Sequence, residues 1–354
     1  MWSPPTRPCW QKAITAFLPW PPKTSWAYEA SVCGGIPIVQ TLREGLADPT
    51  VDVVVELMGG LGTAASLIEQ ALLAGKHVVT ANKALLAESN NRFFALAAQN
   101  KLHLAYEASV CGGIPIVQTL REGLAANKIH SLVGILNGTS NYILSEMSTR
   151  GLDFATALAQ AQALGYAEAD PTLDIGGGDA AHKLALLIRL AWGQSYPFDA
   201  LPVRGISQVD AVDIAYAKEF GYAIKLLGQA RMVDGTIEAG VSPALVHETF
   251  LLANVHGAYN AVRIEGDAVG PVFLHGKGAG DMPTGSAVMA DILSIARQSL
   301  PNNTGFAHPT LPPEAKTLAA DEARSPHYIR MQVVDAPGAY LSWFSGRVSA
   351  TTGT

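Results

Sequence analysis

Asp179 and Lys183 stand four positions apart in the run DAAHKLALL, whose leucines 184, 186 and 187 mark a largely buried helix. A lysine held among apolar residues and carboxylates has a tuned pKa and can donate a proton. A surface ion pair, worth a few tenths of a kcal/mol, is the ordinary alternative. His182, between them, reads as structural. Asp174 and three glycines precede this helix, and upstream of them the loop GYAEADP at 165–171 carries Glu168 and Asp170. Thr80, Asn82 and Lys83 (TANK) end one strand and open a helix, so their polar groups converge on a crevice. A lysine there can face a phosphate or a carboxyl-bearing substrate. Taken alone, TANK also reads as a capped helix with a solvated lysine. NGTSN at 137–141 suits a polar substrate, although helix capping explains it equally well. EASVCGGI at 107–114 has two glycines that permit a bend turning carbonyls toward a hard cation. A plain strand-to-helix turn explains that segment as simply.

These residues need a frame. Residues 51–58 (VDVVVELM) read as a buried parallel strand and 63–74 as a helix closed by Gly75. Residues 77–81 form the next strand, 83–99 one helix capped by Asn82, 102–107 a strand, and 115–124 a helix opened by Pro115. Alternation of this kind gives a right-handed parallel sheet. Between its first strand and helix, GLGTAA at 60–65 matches a dinucleotide loop of the weaker GxGxxA form. No acid ends the following strand to hold a ribose, so the motif reads as a turn at the edge where cofactors lie. Beyond about residue 130 come a strand at 129–136 and helices at 139–149, 153–164 and 179–193. Strands follow at 223–232 and 236–244 around an Asp234-Gly235 turn, then at 260–265 and 271–275, with a helix at 284–297. The fold class is α/β: a partial doubly wound, Rossmann-like parallel sheet plus a second α+β domain. The expected divisions are 1–50 irregular, 51–130 nucleotide-binding, 131–298 catalytic and dimerising, 299–325 a proline-rich linker, and 326–354 a stub.

Apolar residues make up 49% and charged residues 15% of the 354 positions, which excludes disorder as the main state. The net charge of −6, with no basic run, argues against nucleic acid and anionic membranes as partners. No apolar stretch reaches the roughly 20 residues of a membrane span. Cys9, Cys33 and Cys111 form no CxxC pair, which fits a reducing cytoplasm. Residues 27–47 repeat as 105–125 without one change, which reads as a recent duplication rather than an architecture.

The segments VVTANKALLA, YEASVCGGIPI, GILNGTSNYIL, LGYAEADPT and DAAHKLA, in this order and spacing, resemble the homoserine dehydrogenase family, as do GYAIKLLGQAR and HGKGAGDMPTGSAV. The likeness covers roughly 51–298. It implies NADP- or NAD-dependent interconversion of L-homoserine and L-aspartate 4-semialdehyde, within threonine and methionine synthesis. By the resemblance, Lys183 is the acid/base, Asp179 and Asp174 orient it, and Glu168 binds the substrate ammonium. Thr80, Asn82, Lys83, Gly165 and Gly280 border the cofactor. The carbonyls of Glu107, Val110, Gly112 and Ile114 would hold a structural sodium ion, and the second domain's sheet would form a homodimer. Family members begin with a strand, a GxGxxG loop and a helix. Residues 1–47 carry no such unit, so the sheet is expected to start at residue 51 with an unpaired edge. Residues 327–338 resemble the first strand of an ACT regulatory domain, which binds threonine in family members; the pattern stops there, so feedback by threonine is expected to be lost. Two alternatives remain open: a catalytically impaired or dead homologue that dimerises without binding cofactor, and a related NAD(P)-dependent dehydrogenase of another amino-acid aldehyde.

Overall fold

The computed structural model describes residues 13–15, 42–89, 91–297, 314–319, 322–323 and 325–330. Its first sheet is parallel, with four strands in sequential order: β1 (Ala13–Thr15), β2 (Val53–Glu56), β3 (His77–Thr80) and β4 (Leu104–Ala105). The expected start at residue 51 is corrected. Ala13–Thr15 pairs in parallel with Val53–Val55, so the edge of β2 is covered. No periodic signal marked this strand, because pairing with an existing edge supplies the order that three residues lack.

Around this sheet lie α1 (Leu42–Ala47), α2 (Thr63–Leu73), α3 (Lys83–Glu88), α4 (Arg92–Gln99) and α5 (Ile116–Gln118). Alternate side chains of the strands serve two cores. Val54, Val78 and Leu104 pack with Leu67, Ile68 and Leu72 of α2. Val53, Val55, Val79 and Ala105 point the other way. The single helix expected over 83–99 is two. Asn91 adopts a left-handed conformation, φ 64°, and the Arg92 amide donates to Ser89 O at 2.9 Å. Serine and asparagine favour such turns over helix interiors. The helix after Pro115 is also shorter than expected, giving way to a π turn over Thr119–Gly123.

The second sheet is antiparallel. Its elements follow in the order β5 (Ile129–Ile135), α6 (Gly138–Arg150), α7 (Phe154–Ala163), α8 (Thr172–Ile175), α9 (Gly178–Trp192), α10 (Ala211–Glu219), β6 (Tyr222–Val233), β7 (Thr236–His247), β8 (Tyr259–Gly266), β9 (Gly270–Lys277) and α11 (Asp281–Arg297). Strand order is β7-β6-β5-β8-β9. Asp234 and Gly235 both have positive φ, as the β6–β7 hairpin turn requires. Helix α9 is buried along almost its whole length and joins the core of both sheets. Helix α11 returns across the parallel sheet, where Val288 and Ile295 cover Val53, Val55, Val79 and Ala105. The chain thus crosses from one sheet to the other and back.

Part of the stretch read as a linker is built into the fold. Lys316 O accepts from Ile237 N at 2.7 Å, Thr317 bridges Ile237, and Ala315 is buried. Residues 327–330, the described start of the ACT-like segment, are irregular rather than a strand. There Arg330 pairs with Asp210 and Asp213, and Tyr328 donates to Asp213 at 3.2 Å, tying the segment to the start of α10. The rest of the ACT-like pattern, 331–338, lies outside the described residues, as does most of 1–41.

Candidate active site

Strand β5 ends at the junction of the two sheets, and the polar residues gather there. Asp179 and Lys183 occupy the first two turns of α9, on one face, and both are buried. Lys183 Nζ donates to Asp179 Oδ2 at 2.7 Å and to the carbonyl of Leu136 at 2.7 Å. An ammonium has three N–H groups, so with these two acceptors among the described residues one is left for a ligand. Lys83, at the start of α3, reaches across from the parallel sheet to Asp179 Oδ1 at 3.0 Å. Its side chain is 32% exposed, so the cluster meets solvent through Lys83. Asp174, on the short helix α8, joins through Asn137, whose amide donates to Asp174 Oδ1 at 2.7 Å and to Asp179 Oδ2 at 2.8 Å.

Charge and burial compete here. Burial pushes the Asp179 carboxyl up, but the Lys183 and Lys83 charges, with hydrogen bonds from Lys183 and Asn137, hold it well below the usual carboxylate range. Burial pulls Lys183 down, and Asp179, Cys111 and Asp174 reverse this, leaving it raised. Asp174 is raised, chiefly by burial. At neutral pH the cluster therefore holds a protonated lysine beside an ionised aspartate. That is a proton donor with a fixed counter-charge.

The structure brings together Lys83, Asp174, Asp179 and Lys183 from the sequence-predicted set. Thr80 and Asn82 lie just behind Lys83 and organise the neighbouring loop. Thr80 Oγ1 donates to Glu56 Oε2 at 2.6 Å, and Asn82 Nδ2 donates to Gly60 O at 2.7 Å while its Oδ1 caps α3 through Leu85 N. Glu56, which the sequence reading passed over, also accepts the Met58 and Gly59 amides. A single carboxylate at the end of an otherwise apolar strand was the available signal. The loop it ties is open: Gly59 and Gly60 are both left-handed, and a Cβ at 59, 60 or 62 would meet nothing within 4 Å. Backbone amides at the start of α2 can thus be approached by a phosphate-bearing ligand.

Glu168 and Gly165 lie exposed on the loop after α7, and Gly280 is exposed, φ 120°, just before α11. Glu168 makes no side-chain bond to the lysine–aspartate cluster. Its loop is fastened to α6, where Thr139 Oγ1 donates to Tyr166 O. The EASVCGGI segment packs tightly against β9: Gly113 N donates to Lys277 O at 2.8 Å, and a Cβ on Gly113 would stand 2.3 Å from that oxygen. The Glu107 carboxylate accepts the Val117 and Gln118 amides, each at 2.8 Å, and the Glu107 amide donates to Asp291 Oδ2 of α11. Burial pushes Glu107 up to about 7. Leu136 O is the cluster member that sequence reasoning missed, since a backbone carbonyl leaves no signal; Asn137 stands out within NGTSN, but its bonds to Asp174 and Asp179 are not local and cannot be read there.

A family model described as homoserine dehydrogenase matches residues 115–293, and one described as homoserine dehydrogenase, NAD binding domain, matches residues 29–107. The second match begins inside the first copy of the repeat, ahead of residue 51. The chain is 50% identical over 313 residues to a homoserine dehydrogenase of Neisseria gonorrhoeae, covering 87% of this chain and 72% of that protein. The crystal structure of a homoserine dehydrogenase from Thiobacillus denitrificans superposes with a TM-score of 0.78 at 46% identity, covering 83% of this chain and 69% of that one. A hyperthermophilic archaeal homoserine dehydrogenase in complex with NADPH superposes with a TM-score of 0.64 at 28% identity, covering 77% and 80%. With a buried lysine–aspartate pair at the junction of a parallel and an antiparallel sheet, and these matches along most of its length, the chain belongs to the homoserine dehydrogenase family.

Proposed function

We propose that this chain interconverts L-homoserine and L-aspartate 4-semialdehyde, with Lys183 as the group that moves the proton. The observation that carries the reading is the Lys183 ammonium, held by Asp179 Oδ2 and Leu136 O with one N–H to spare. When bound, NADP or NAD supplies or accepts the hydride, and the protein does the rest. In the reducing direction Lys183 gives its proton to the substrate's carbonyl oxygen. In the oxidising direction the same lysine, first deprotonated to the neutral amine, takes the proton from the hydroxyl. Asp179 and Asp174 orient the lysine and balance its charge. Glu168, a carboxylate exposed on its loop, is the partner for the substrate's ammonium. Lys83 faces the cofactor, and the open loop that Thr80 and Asn82 support, with the exposed Gly165 and Gly280, borders the cofactor's place.

Homoserine-dependent reduction of NADP and NAD by the purified chain tests this, with Lys183→Ala as control. Turnover that vanishes in the variant supports the assignment, and turnover that persists there refutes it. Comparing homoserine with other amino-acid alcohols separates this substrate from a relative.

The proposal has three further parts. A sodium ion held by the carbonyls of Glu107, Val110, Gly112 and Ile114 fits the bond accounting: those of Val110 and Gly112 accept no hydrogen bond from described residues, and those of Glu107 and Ile114 accept one each. Replacing sodium by choline at constant ionic strength should lower Tm; an unchanged Tm would remove the ion from the scheme. A homodimer through the antiparallel sheet fits the exposed Tyr222, Leu245, Phe250, Leu251 and Tyr259 on or beside its strands. Light scattering at the mass of one chain would count against it. A cytoplasmic setting fits the buried, free Cys111; among the described residues no helix is long and apolar enough to cross a membrane.

A further inference from the structure

Asn137 closes β5 and caps α6, where its Oδ1 accepts the Ser140 amide at 2.7 Å. Its side-chain nitrogen spans two carboxylates, at 2.7 Å to Asp174 Oδ1 and 2.8 Å to Asp179 Oδ2, and the residue is 4% exposed. Asp179 Oδ2 is also the oxygen that accepts from Lys183, and the carbonyl of Leu136, one residue earlier, is the lysine's other acceptor. Residues 136 and 137 therefore hold both the acid/base and its counter-charge. Two buried carboxylates repel unless a donor stands between them. We propose that Asn137 is a positioning residue for proton transfer: it spaces Asp174 from Asp179 and turns Asp179 so that one oxygen meets Lys183 and the other meets Lys83. The inference rests on Lys183 as acid/base.

The competing role is a plain helix cap. Aspartate and serine are both good caps, so Asn137→Asp and Asn137→Ser keep that function while removing or shortening the donor. In Asn137→Asp a third carboxylate joins those facing Lys183: Asp179 on its own helix and Asp174 on α8. Cys111 on the loop after β4 also faces it, and Lys83 on α3 stands behind Asp179. Added negative charge makes Lys183 hold its proton more tightly. The acidic limb of homoserine oxidation then moves to higher pH. In Asn137→Ser, kcat falls about tenfold to a hundredfold with KM for homoserine little changed. Lysine side-chain NMR, with the Lys183 signal assigned by its loss in Lys183→Ala, reads the same titration without turnover. It should move upward in Asn137→Asp. Folded variants with unchanged kcat, an unmoved limb and an unmoved Lys183 titration would reduce Asn137 to a cap. A wild-type chain inactive on homoserine would sink the acid/base reading. The NMR titration of Asn137→Ser, which keeps the cap and adds no charge, still decides the positioning claim in that case: a shift of Lys183 supports it and no shift overturns it.

Discussion

Among the described residues Lys76, Lys183 and Lys225 are buried, and the last two are treated in opposite ways. Lys183 on α9 and Lys225 on β6 are 7% and 2% exposed. Burial drives both downward. Lys183 is rescued by Asp179, Cys111 and Asp174 and ends above its ordinary value. Among the described residues Lys225 donates to neutral acceptors alone, Asn141 Oδ1 at 3.3 Å and Val255 O, and burial pushes it down to about 8. Depth alone therefore does not make a proton-transfer site. A carboxylate close by fixes the charge state, and the partly exposed Lys83 keeps the cluster in reach of ligands. Lys225 has neither, and its bonds join α6 and the segment after β7 to the sheet. In the proposed scheme Lys183 serves chemistry, whereas the bonds of Lys225 serve packing.

The comparison breaks first at Lys183. Lys183→Ala should lower homoserine turnover about a thousandfold, the range of a lost general acid/base, with far-UV dichroism unchanged. Lys225→Ala should reduce stability instead and leave kcat per folded molecule close to wild type. If steady-state kinetics show the reverse, the roles of the two lysines are exchanged. A smaller effect comes from making Lys183 resemble Lys225. Asp179→Asn removes the main counter-charge but keeps the shape. Lys183 should then titrate at lower pH, and kcat should fall about a hundredfold, because a positioned ion pair is replaced by a neutral bond. A pH profile of the variant that overlays the wild type would show that Asp179 does not set the lysine's charge.

Much of this contrast could be read in the sequence, and the unread part has a physical reason. The four-residue spacing of Asp179 and Lys183 forces them onto one helical face, so the pair was legible. The Asp234-Gly235 hairpin and the Asn82 cap were legible on equally local grounds. What joins the cluster is not local: Asn137 meets Asp174 and Asp179 at separations of 37 and 42 residues. The peptide LREGLA makes the same point. At Leu42–Ala47 it is an α-helix, whereas its second copy at 120–125 continues a π turn in which Arg121 is buried beside Glu122. Identical residues take different paths because their neighbours differ, and three residues at Ala13–Thr15 become a strand only because β2 offers an edge. Helix α10 was overlooked although Asp210 and Asp213 form a reciprocal capping box there, a local signal that was available.

The finest test of the comparison is thermodynamic. Lys225 has its folded value lowered to about 8 from an ordinary 10.5. A lowered folded pKa means that the unfolded chain binds the proton more tightly. Between these two values unfolding takes up a proton, so stability rises with pH across that window. Below about 8 the folded lysine is charged as well, and the gain is lost. Urea unfolding at about pH 7.5 and about pH 9.5 should show wild type gaining about 2 kcal/mol from this group. Lys225→Met fills a similar volume and cannot titrate, so its slope over the same interval should be smaller by that amount. Lys183 is raised rather than lowered and contributes nothing of this sign; Lys183→Met should leave the upward slope in place. Equal slopes for wild type and Lys225→Met would mean that Lys225 is stabilised in its charged form after all, and Lys183 and Lys225 would then differ in their neighbours but not in their state.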